Sequence, residues 1–397
     1  MSEQPAPVAR NEAVDVLRAF AIFGVFAVHI ADQFELYYAH MTPDPLTGFV
    51  LTYIMGKSFS LLALCFGLSF FVLMDREAHK GGDFSGRFAW RMAVLAIIGV
   101  VHGALYRGDV LTVLAPIGLV LIPFHRVRQN GILIAIAAIL ILQPFIFYQT
   151  LSAVSGADWA NAKPNFWNGG SFDAYQHGTF IDVIRYNLFE GQYPKWWFFL
   201  ETGRVAQIAG LFLIGMVLGR IGFFDQPQRY ATARRIWLVV LAALSVALII
   251  YKPALIALAP TAHSPVMAGA LSNMILSGWT DLTLMGVYVL VILELFYGFA
   301  GSGLRVLVPA GRMTLSLYVF QAVVWVPVYY GFGLGGWAWL TPPTAMLWGA
   351  AFFVAEVIFA QLWLKRFYYG PLEWVWRAAT QMSVMVPFRR ALTQGKI

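Results

Sequence analysis

The chain has 397 residues, 59% of them hydrophobic and 12% charged. With a mean hydropathy of +0.69, this composition excludes a soluble globule, whose surface would have to be covered with apolar side chains. The formal net charge of +7 is assigned to loops beside anionic lipid and gives no reason to invoke nucleic acid.

Apolar runs long enough to cross a bilayer, roughly 17–25 residues each, predict helices near 14–31, 54–74, 88–106, 110–124, 131–150, 196–219, 235–251, 281–300, 313–331 and 343–364. The expected fold is therefore an all-α polytopic membrane protein with about ten transmembrane helices. The run at 110–124 is short, and "VMAGALSNMILSG" (266–278) is shorter still, which predicts a half-helix or re-entrant segment there. The N-terminal "MSEQPAPVARNEAVD" lacks the basic start and short apolar core of a secretory signal, so the first span is expected to be retained.

Short cytoplasmic loops collect lysine and arginine. Placing both termini inside assigns 20 of the 27 basic residues to the cytoplasmic side, from Arg10, Lys80 and Arg87 through Arg312 and Arg377 to Lys396. An eleventh crossing at 266–278 would reverse every later loop. The expected location is a membrane with these basic loops on its cytoplasmic side, with lipids as partners and a homo-oligomer left open. The single cysteine, Cys65, excludes an intramolecular disulfide.

The first span, "DVLRAFAIFGVFAVHIADQF", carries Arg18 near one end and His29 near the other. Eleven helical residues turn to within about 20° of a whole number of turns and rise roughly 16 Å, so the two share a face. Asp15 lies one turn below Arg18, and Asp32 one turn above His29. Such an axis suits an elongated anionic ligand with phosphates at the arginine and a reactive end at the imidazole, and acyl-coenzyme A has that shape. The plain alternative is a topological anchor at Arg18 and a packed histidine at His29.

Span three repeats the polarity, with Arg87 and Arg91 at its inner end and His102, Arg107 and Asp109 at its outer end. Ionisable groups at membrane depth face a cavity or a partner, so His29, His102 and Asp109 are expected to meet in an external vestibule. The long polar interval 151–195 reads either as a solvated loop with an interfacial helix at "GTFIDVIRYNLF" or as a substrate lid. Glu201 and Arg204, spaced i,i+3, are expected to form an ion pair, and Gln321 either lines an acyl tunnel or bridges helices. No metal-binding pattern, phosphate loop or dinucleotide fingerprint is present, so no metal is expected.

Blocks spread from about residue 10 to 380 resemble the YeiB-type family of bacterial membrane proteins: "DVLRAFAIFGVFAVHI", "LLALCFGLSFFVLMDR", "GVVHGALYRGDVL", "AGRMTLSLYVFQAV" and "FYYGPLEWVWRAAT". That family is grouped with membrane acyltransferases, including the lysosomal heparan-glucosaminide acetyltransferase and the type-3 enzymes. The resemblance implies transfer of an acyl group, commonly acetyl, from cytosolic acyl-CoA to a hydroxyl or amine acceptor across the membrane. The arginine, ten residues and functional histidine of type-3 enzymes match Arg18 and His29. YeiB-type proteins more often carry asparagine where His29 stands, and the lysosomal enzyme has a functional histidine in the next loop, at a distance comparable to His40. The expected catalytic groups are thus His29 first and His40 second, acting as base or transient acyl carrier. Arg18, Arg87 and Arg91 are expected to bind acyl-CoA, with Asp32, His102, Asp109, Arg204 and Gln321 around the substrate. The chain then divides into an acyltransferase-like bundle at 1–150, the external loop at 151–195, and a second bundle with a cytoplasmic tail at 196–397. A proton-coupled transporter or flippase, using His29, His102, Asp109, Glu294 and Glu356 as a path, is the alternative.

Overall fold

The computed structural model describes residues 11–78, 84–168, 172–258 and 265–390. Arg10, Lys80 and Lys396, counted in the charge assignment above, lie outside them. The described residues are overwhelmingly helical, and the only β pairing among them is an isolated bridge between Phe367 and Arg389. The all-α polytopic membrane class stands.

Helix α1 (Glu12–Ala31) opens on Asn11, whose side chain accepts from the Val14 amide, with Glu12 and Asp15 in the first turn where the helix dipole favours them. It is followed by α2 (Pro45–Tyr53), α3 (Lys57–Ala78) and α4 (Phe84–Leu105), then the short α5 (Leu111–Gly118) and α6 (Leu121–His125). Helices α7 (Asn130–Leu142) and α8 (Pro144–Val154) join through Gln143, whose φ of 55° lies in the left-handed region, ahead of Pro144. Three short helices, α9 (Asp158–Asn161), α10 (Asp173–Gln176) and α11 (Phe180–Leu188), lead into α12 (Gln192–Glu201) and α13 (Arg204–Arg220). The C-terminal half holds α14 (Ala231–Ala257), α15 (Pro265–Tyr297), α16 (Gly301–Leu304), α17 (Val308–Arg312), α18 (Thr314–Tyr329), α19 (Pro342–Arg366) and α20 (Pro371–Gln381).

Among the described residues, seven helices are long and apolar enough to cross a membrane, or up to nine if each of two bent pairs is one span. The sequence predicts ten. The difference is the run at 110–124, which α5 and α6 break into two pieces too short to count. The bent pairs are α12 with α13, turned by 64°, and α16 to α17 with α18, turned by 74°.

The half-helix expected at 266–278 is not a separate element. It is the first part of α15, a continuous helix of 33 residues, about 50 Å long. Its polar positions lower the local hydropathy without breaking the helix, because neighbouring helices satisfy them. Lys57 Nζ lies 2.6 Å from Asp281 Oδ1, Lys252 Nζ donates to Ser277 Oγ at 2.7 Å, and Trp279 Nε1 donates to the Ile141 carbonyl at 3.1 Å.

Helix α1 is the centre of the bundle. Its apolar window is 78% buried, against 11% for α14, which lies at the periphery with a lipid-like exterior. Close approach of backbones substitutes for the hydrophobic drive that lipid removes. A Cβ on Gly311 would fall 1.7 Å from the Asp15 carbonyl oxygen, so α17 crosses α1 in direct backbone contact. Gly67 on α3 and Gly215 on α13 serve the same purpose in the α3–α13 pair.

Candidate functional site

Two cavities lie along α1, one at each end of the face that Arg18 and His29 share. The first, about 230 Å³, is walled by Arg18, Arg91, Arg312 and Arg377 together with Glu373, Trp376 and an apolar lining from α3, α4 and α5. The second, about 1070 Å³, is walled by His29, Asp32, Glu35, Arg107, Lys195 and Arg204, by Tyr106, and by a set of phenylalanines.

The basic cavity is assembled from four distant stretches of chain. Arg18 Nη1 bonds Asp15 Oδ1 at 3.0 Å, and its Nη2 donates to Ser69 Oγ. Arg91 lies flat on Trp376, 3.7 Å from guanidinium carbon to ring centroid, while Trp376 Nε1 donates to the Arg91 carbonyl at 2.9 Å. Arg377 covers Tyr369 at 4.5 Å, and Arg312 ends α17 at the 74° bend. Glu373 sets this geometry from α20. Its Oε1 accepts from the Leu315 and Ser316 amides at 2.8 and 3.1 Å, and its Oε2 accepts from Ser316 Oγ at 2.5 Å, so it caps α18 from another helix. Burial pushes the Glu373 carboxyl above its ordinary range, against the pull of those donors.

Of the three arginines expected here, Arg18 and Arg91 line the cavity and Arg87 does not; Arg87 is exposed on α4. Arg312, Arg377 and Trp376 were not singled out as ligands, although the quoted blocks "AGRMTLSLYVFQAV" and "GPLEWVWR" contain them.

In the aromatic cavity, Nδ1 of His29 lies 2.9 Å from Tyr106 Oη, either group donating according to the imidazole tautomer. Among the described residues, His29 Nε2 has no hydrogen-bond partner. The backbone beyond the helix is strained: Gln33, Phe34 and Glu35 take consecutive positive φ values of 53°, 52° and 79°, each costing on the order of 1–3 kcal/mol. Tyr329 Oη donates to the Ile30 carbonyl at 3.0 Å and Tyr330 Oη to the Phe34 carbonyl at 3.1 Å, which hold that turn from α18. Glu35 is thereby presented to Arg107, 2.7 Å away.

His102 and Asp109 do meet, with Nδ1 to Oδ1 at 2.8 Å, but behind the cavity wall, where Asp109 Oδ2 also accepts from the Thr112 amide at 2.8 Å. Tyr106 connects them to His29, its ring centroid 6.3 Å from that of His102 and 4.9 Å from that of His29. Asp32 and Arg204 line the cavity as expected. His40 does not; it stacks on Trp337 at 5.3 Å, 13° from parallel, and its Nε2 lies 2.5 Å from Gln176 Nε2. Gln321 bridges helices, donating to Glu356 Oε2 on α19 at 2.8 Å, and lies on neither cavity wall.

The expected ion pair of Glu201 with Arg204 is replaced. Glu201 accepts from the Asn165 amide at 2.9 Å, from Asn165 Nδ2 at 2.7 Å and from the Phe166 amide at 3.1 Å, because three N–H donors satisfy a carboxylate better than one neighbouring guanidinium on a bent helix. Those bonds hold the stretch whose Lys163, Phe166 and Trp167 line the cavity. Helix α11 is pinned to the end of α4, Asn187 Nδ2 donating to the Ala104 carbonyl at 3.0 Å. Glu294, one residue of the alternative transport path, instead pairs with Arg234 and Arg235 at 2.8 and 3.2 Å. Among the described residues, no group of three or more metal-ligating side chains converges.

Residues 218–383 match the family described as "Protein of unknown function (DUF418)". A protein of Escherichia coli (strain K12) called "Uncharacterized protein YeiB" is 24% identical, the match covering 94% of this chain and 96% of the relative. The YeiB-type resemblance spans nearly the whole chain. "Uncharacterized protein YxaH" of Bacillus subtilis (strain 168) is also 24% identical, covering 95% of this chain and 96% of its own. A third relative, "Uncharacterized 39.9 kDa protein in amylase 3'region" of Bacillus acidopullulyticus, is 23% identical over 94% and 95%. No solved structure matches significantly.

Proposed function

We propose that this YeiB-type protein transfers an acyl group, acetyl foremost, from acyl-CoA at its basic cavity to a hydroxyl or amine acceptor in its aromatic cavity. The observation that carries the reading is the placement of the two cavities on one face of α1, with Arg18 in the first and His29 in the second. Their linings are one helical turn apart, Ile22 and Leu62 walling one and Val25 and Phe59 the other. A thioester arm has only that turn, about 4.5 Å, to cross. The basic cavity is smaller than a whole coenzyme A, so it takes the pantetheine arm and leaves the phosphates at the arginine rim. That rim faces the cytosol of a bacterial inner membrane, in keeping with the distribution of basic residues.

With Tyr106 Oη accepting a hydrogen bond from Nδ1–H, His29 Nε2 presents a lone pair to the acceptor. It takes the acceptor's proton as the acceptor oxygen or nitrogen bonds the acyl carbon, and the carbon–sulfur bond breaks. The imidazolium then returns the proton to the departing thiolate. Asp32, buried one turn away, lines the same cavity.

Calorimetry with coenzyme A on the purified protein tests the cofactor end. Arg18→Ala, Arg91→Ala and Arg312→Ala each remove a charge-assisted contact worth about 1.5–3 kcal/mol and should weaken binding tenfold or more. Arg87→Ala, outside the cavity, should bind as the wild type does. Equal affinity in all four folded variants would return the arginines to topology alone.

A further inference from the structure

The charges around the aromatic cavity do not balance. Arg107, Lys163, Lys195 and Arg204 face it against two acids, Asp32 and Glu35. Glu35 is already paired with Arg107, and Lys195 Nζ is held by Thr112 Oγ1 at 2.7 Å beside Asp109. Among the described residues, Lys163 and Arg204 have no ion-pair partner, and the acid nearest in sequence to Arg204, Glu201, is taken up by the Asn165 and Phe166 donors. Arg204 is half-buried with its guanidinium 5.4 Å from the Phe198 ring centroid, which orients it while leaving its donors open. Lys163 lines the same cavity, on the stretch that Glu201 anchors through Asn165 and Phe166. Trp167 and Phe198, 46% and 37% exposed, line the cavity with these two cations and offer it flat apolar faces. On the same wall, His29 Nε2 has no hydrogen-bond partner among the described residues.

We infer that the molecule bound in the aromatic cavity carries an anionic group, a phosphate ester or carboxylate on a ring or polyol, gripped between Lys163 and Arg204. This rests on the transferase reading for the role of that molecule, the acceptor, but the grip itself is a matter of binding. An arginine oriented by a ring and an exposed lysine form a two-point clamp for an oxyanion. The aromatic faces take the apolar side of the scaffold, and a free hydroxyl or amine at its far end reaches His29. Phosphate of this kind comes either from a soluble compound or from a phospholipid headgroup entering from the side.

The test measures binding without acyl-CoA. Glucose 6-phosphate, glucuronate and glucose are titrated into purified protein, and in parallel the protein is placed in nanodiscs of phosphatidylcholine with or without phosphatidylglycerol and read by Trp fluorescence. An anionic probe is expected to bind at least tenfold more tightly than glucose, with affinity falling as salt rises. Lys163→Gln and Arg204→Gln should each weaken it about tenfold and together abolish the preference, whereas Arg204→Lys retains most of it. A response to phosphatidylglycerol alone, with the same dependence on Lys163 and Arg204, assigns the anion to a lipid headgroup. Equal binding of glucose and the anionic probes, or undiminished binding by the folded Gln variants, overturns the inference, as does no saturable response to any anionic probe. Clamp-dependent binding with no acyl transfer would keep the clamp and sink the transferase reading. Transfer to glucose as fast as to glucose 6-phosphate would do the reverse.

Discussion

His29 gains its place from three aromatic hydroxyls. Tyr106 holds one ring nitrogen, and Tyr329 and Tyr330 hold the strained turn that follows. If His29 is the base, His29→Ala should lower turnover by about 10²–10⁴-fold yet leave coenzyme A affinity intact, since Arg18 lies roughly 16 Å away. Tyr106→Phe keeps the ring packing and loses one hydrogen bond, so turnover should fall by about tenfold. Steady-state rates with acetyl-CoA and any acceptor the wild type uses decide this, and full turnover in His29→Ala together with loss in His40→Ala would move the role to His40. Spacing alone made the Arg18–His29 axis legible, because helical periodicity is a local property. Tyr106 was not legible: its partner is 77 residues away, and a tyrosine beside "RGD" reads as an interfacial aromatic. The Glu201–Arg204 pair failed for the same reason, as an i,i+3 neighbour lost to donors 35 and 36 residues distant.

At the scale of elements, the two late sequence blocks that carry the family resemblance turn out to be a single joint. Glu373 of α20 closes the start of α18, and the bend it stabilises delivers Arg312 to the basic cavity. Glu373→Ala should destabilise this joint by about 1–2 kcal/mol, the range for a lost helix cap, and lower coenzyme A affinity with it. The pH dependence has a definite sign. Because the folded carboxyl titrates above its ordinary value, the fold binds the proton more tightly than the unfolded chain does. Its contribution is full below the ordinary carboxyl range and is lost as pH rises through the raised value. Glu373→Gln keeps an acceptor for the Leu315 amide and has no proton to lose. Thermal melts in detergent from pH 4 to 8 should therefore show a fall for the wild type that the Gln variant lacks. Bends of this sort escape hydropathy reading, since both halves of a broken span remain apolar. The opposite error occurred at 266–278, where Ser277, bonded by Lys252, lies inside an unbroken helix that continues through Trp279 and Asp281, satisfied by the Ile141 carbonyl and Lys57.

For the whole molecule, composition alone indicated a helical membrane bundle, and the order of the spans followed from the apolar runs. What composition could not supply is which helix sits at the centre. Helix α1 resembles its neighbours in hydropathy but carries two ion-pairing or capping acids and a histidine. Its centrality depends on glycines such as Gly311, which let partners approach its backbone. The two bent pairs have matching consequences: Arg204 begins the second arm of one, and Arg312 ends the first arm of the other. Each bend sets an arginine in a different cavity, one at each end of α1. Discontinuous helices are where membrane proteins can aim polar groups into a cavity without exposing broken backbone to lipid.

The single turn of apolar side chains between the cavities has a consequence for the cell's energy supply. If the two cavities open to opposite faces of the membrane, as the proposed transfer requires, Ile22, Leu62, Leu111 and their neighbours form the insulating septum between them. Under the proposed transfer the septum lets an acyl group reach across while stopping protons, which puts its packing under a constraint unrelated to turnover. Ile22→Ala combined with Leu62→Ala should open a wet connection and make liposomes carrying the protein leak protons, seen as faster collapse of an imposed pH gradient reported by a trapped dye. Wild-type liposomes should hold the gradient as well as empty ones. A double variant that holds it equally well would mean that the barrier lies elsewhere along α1.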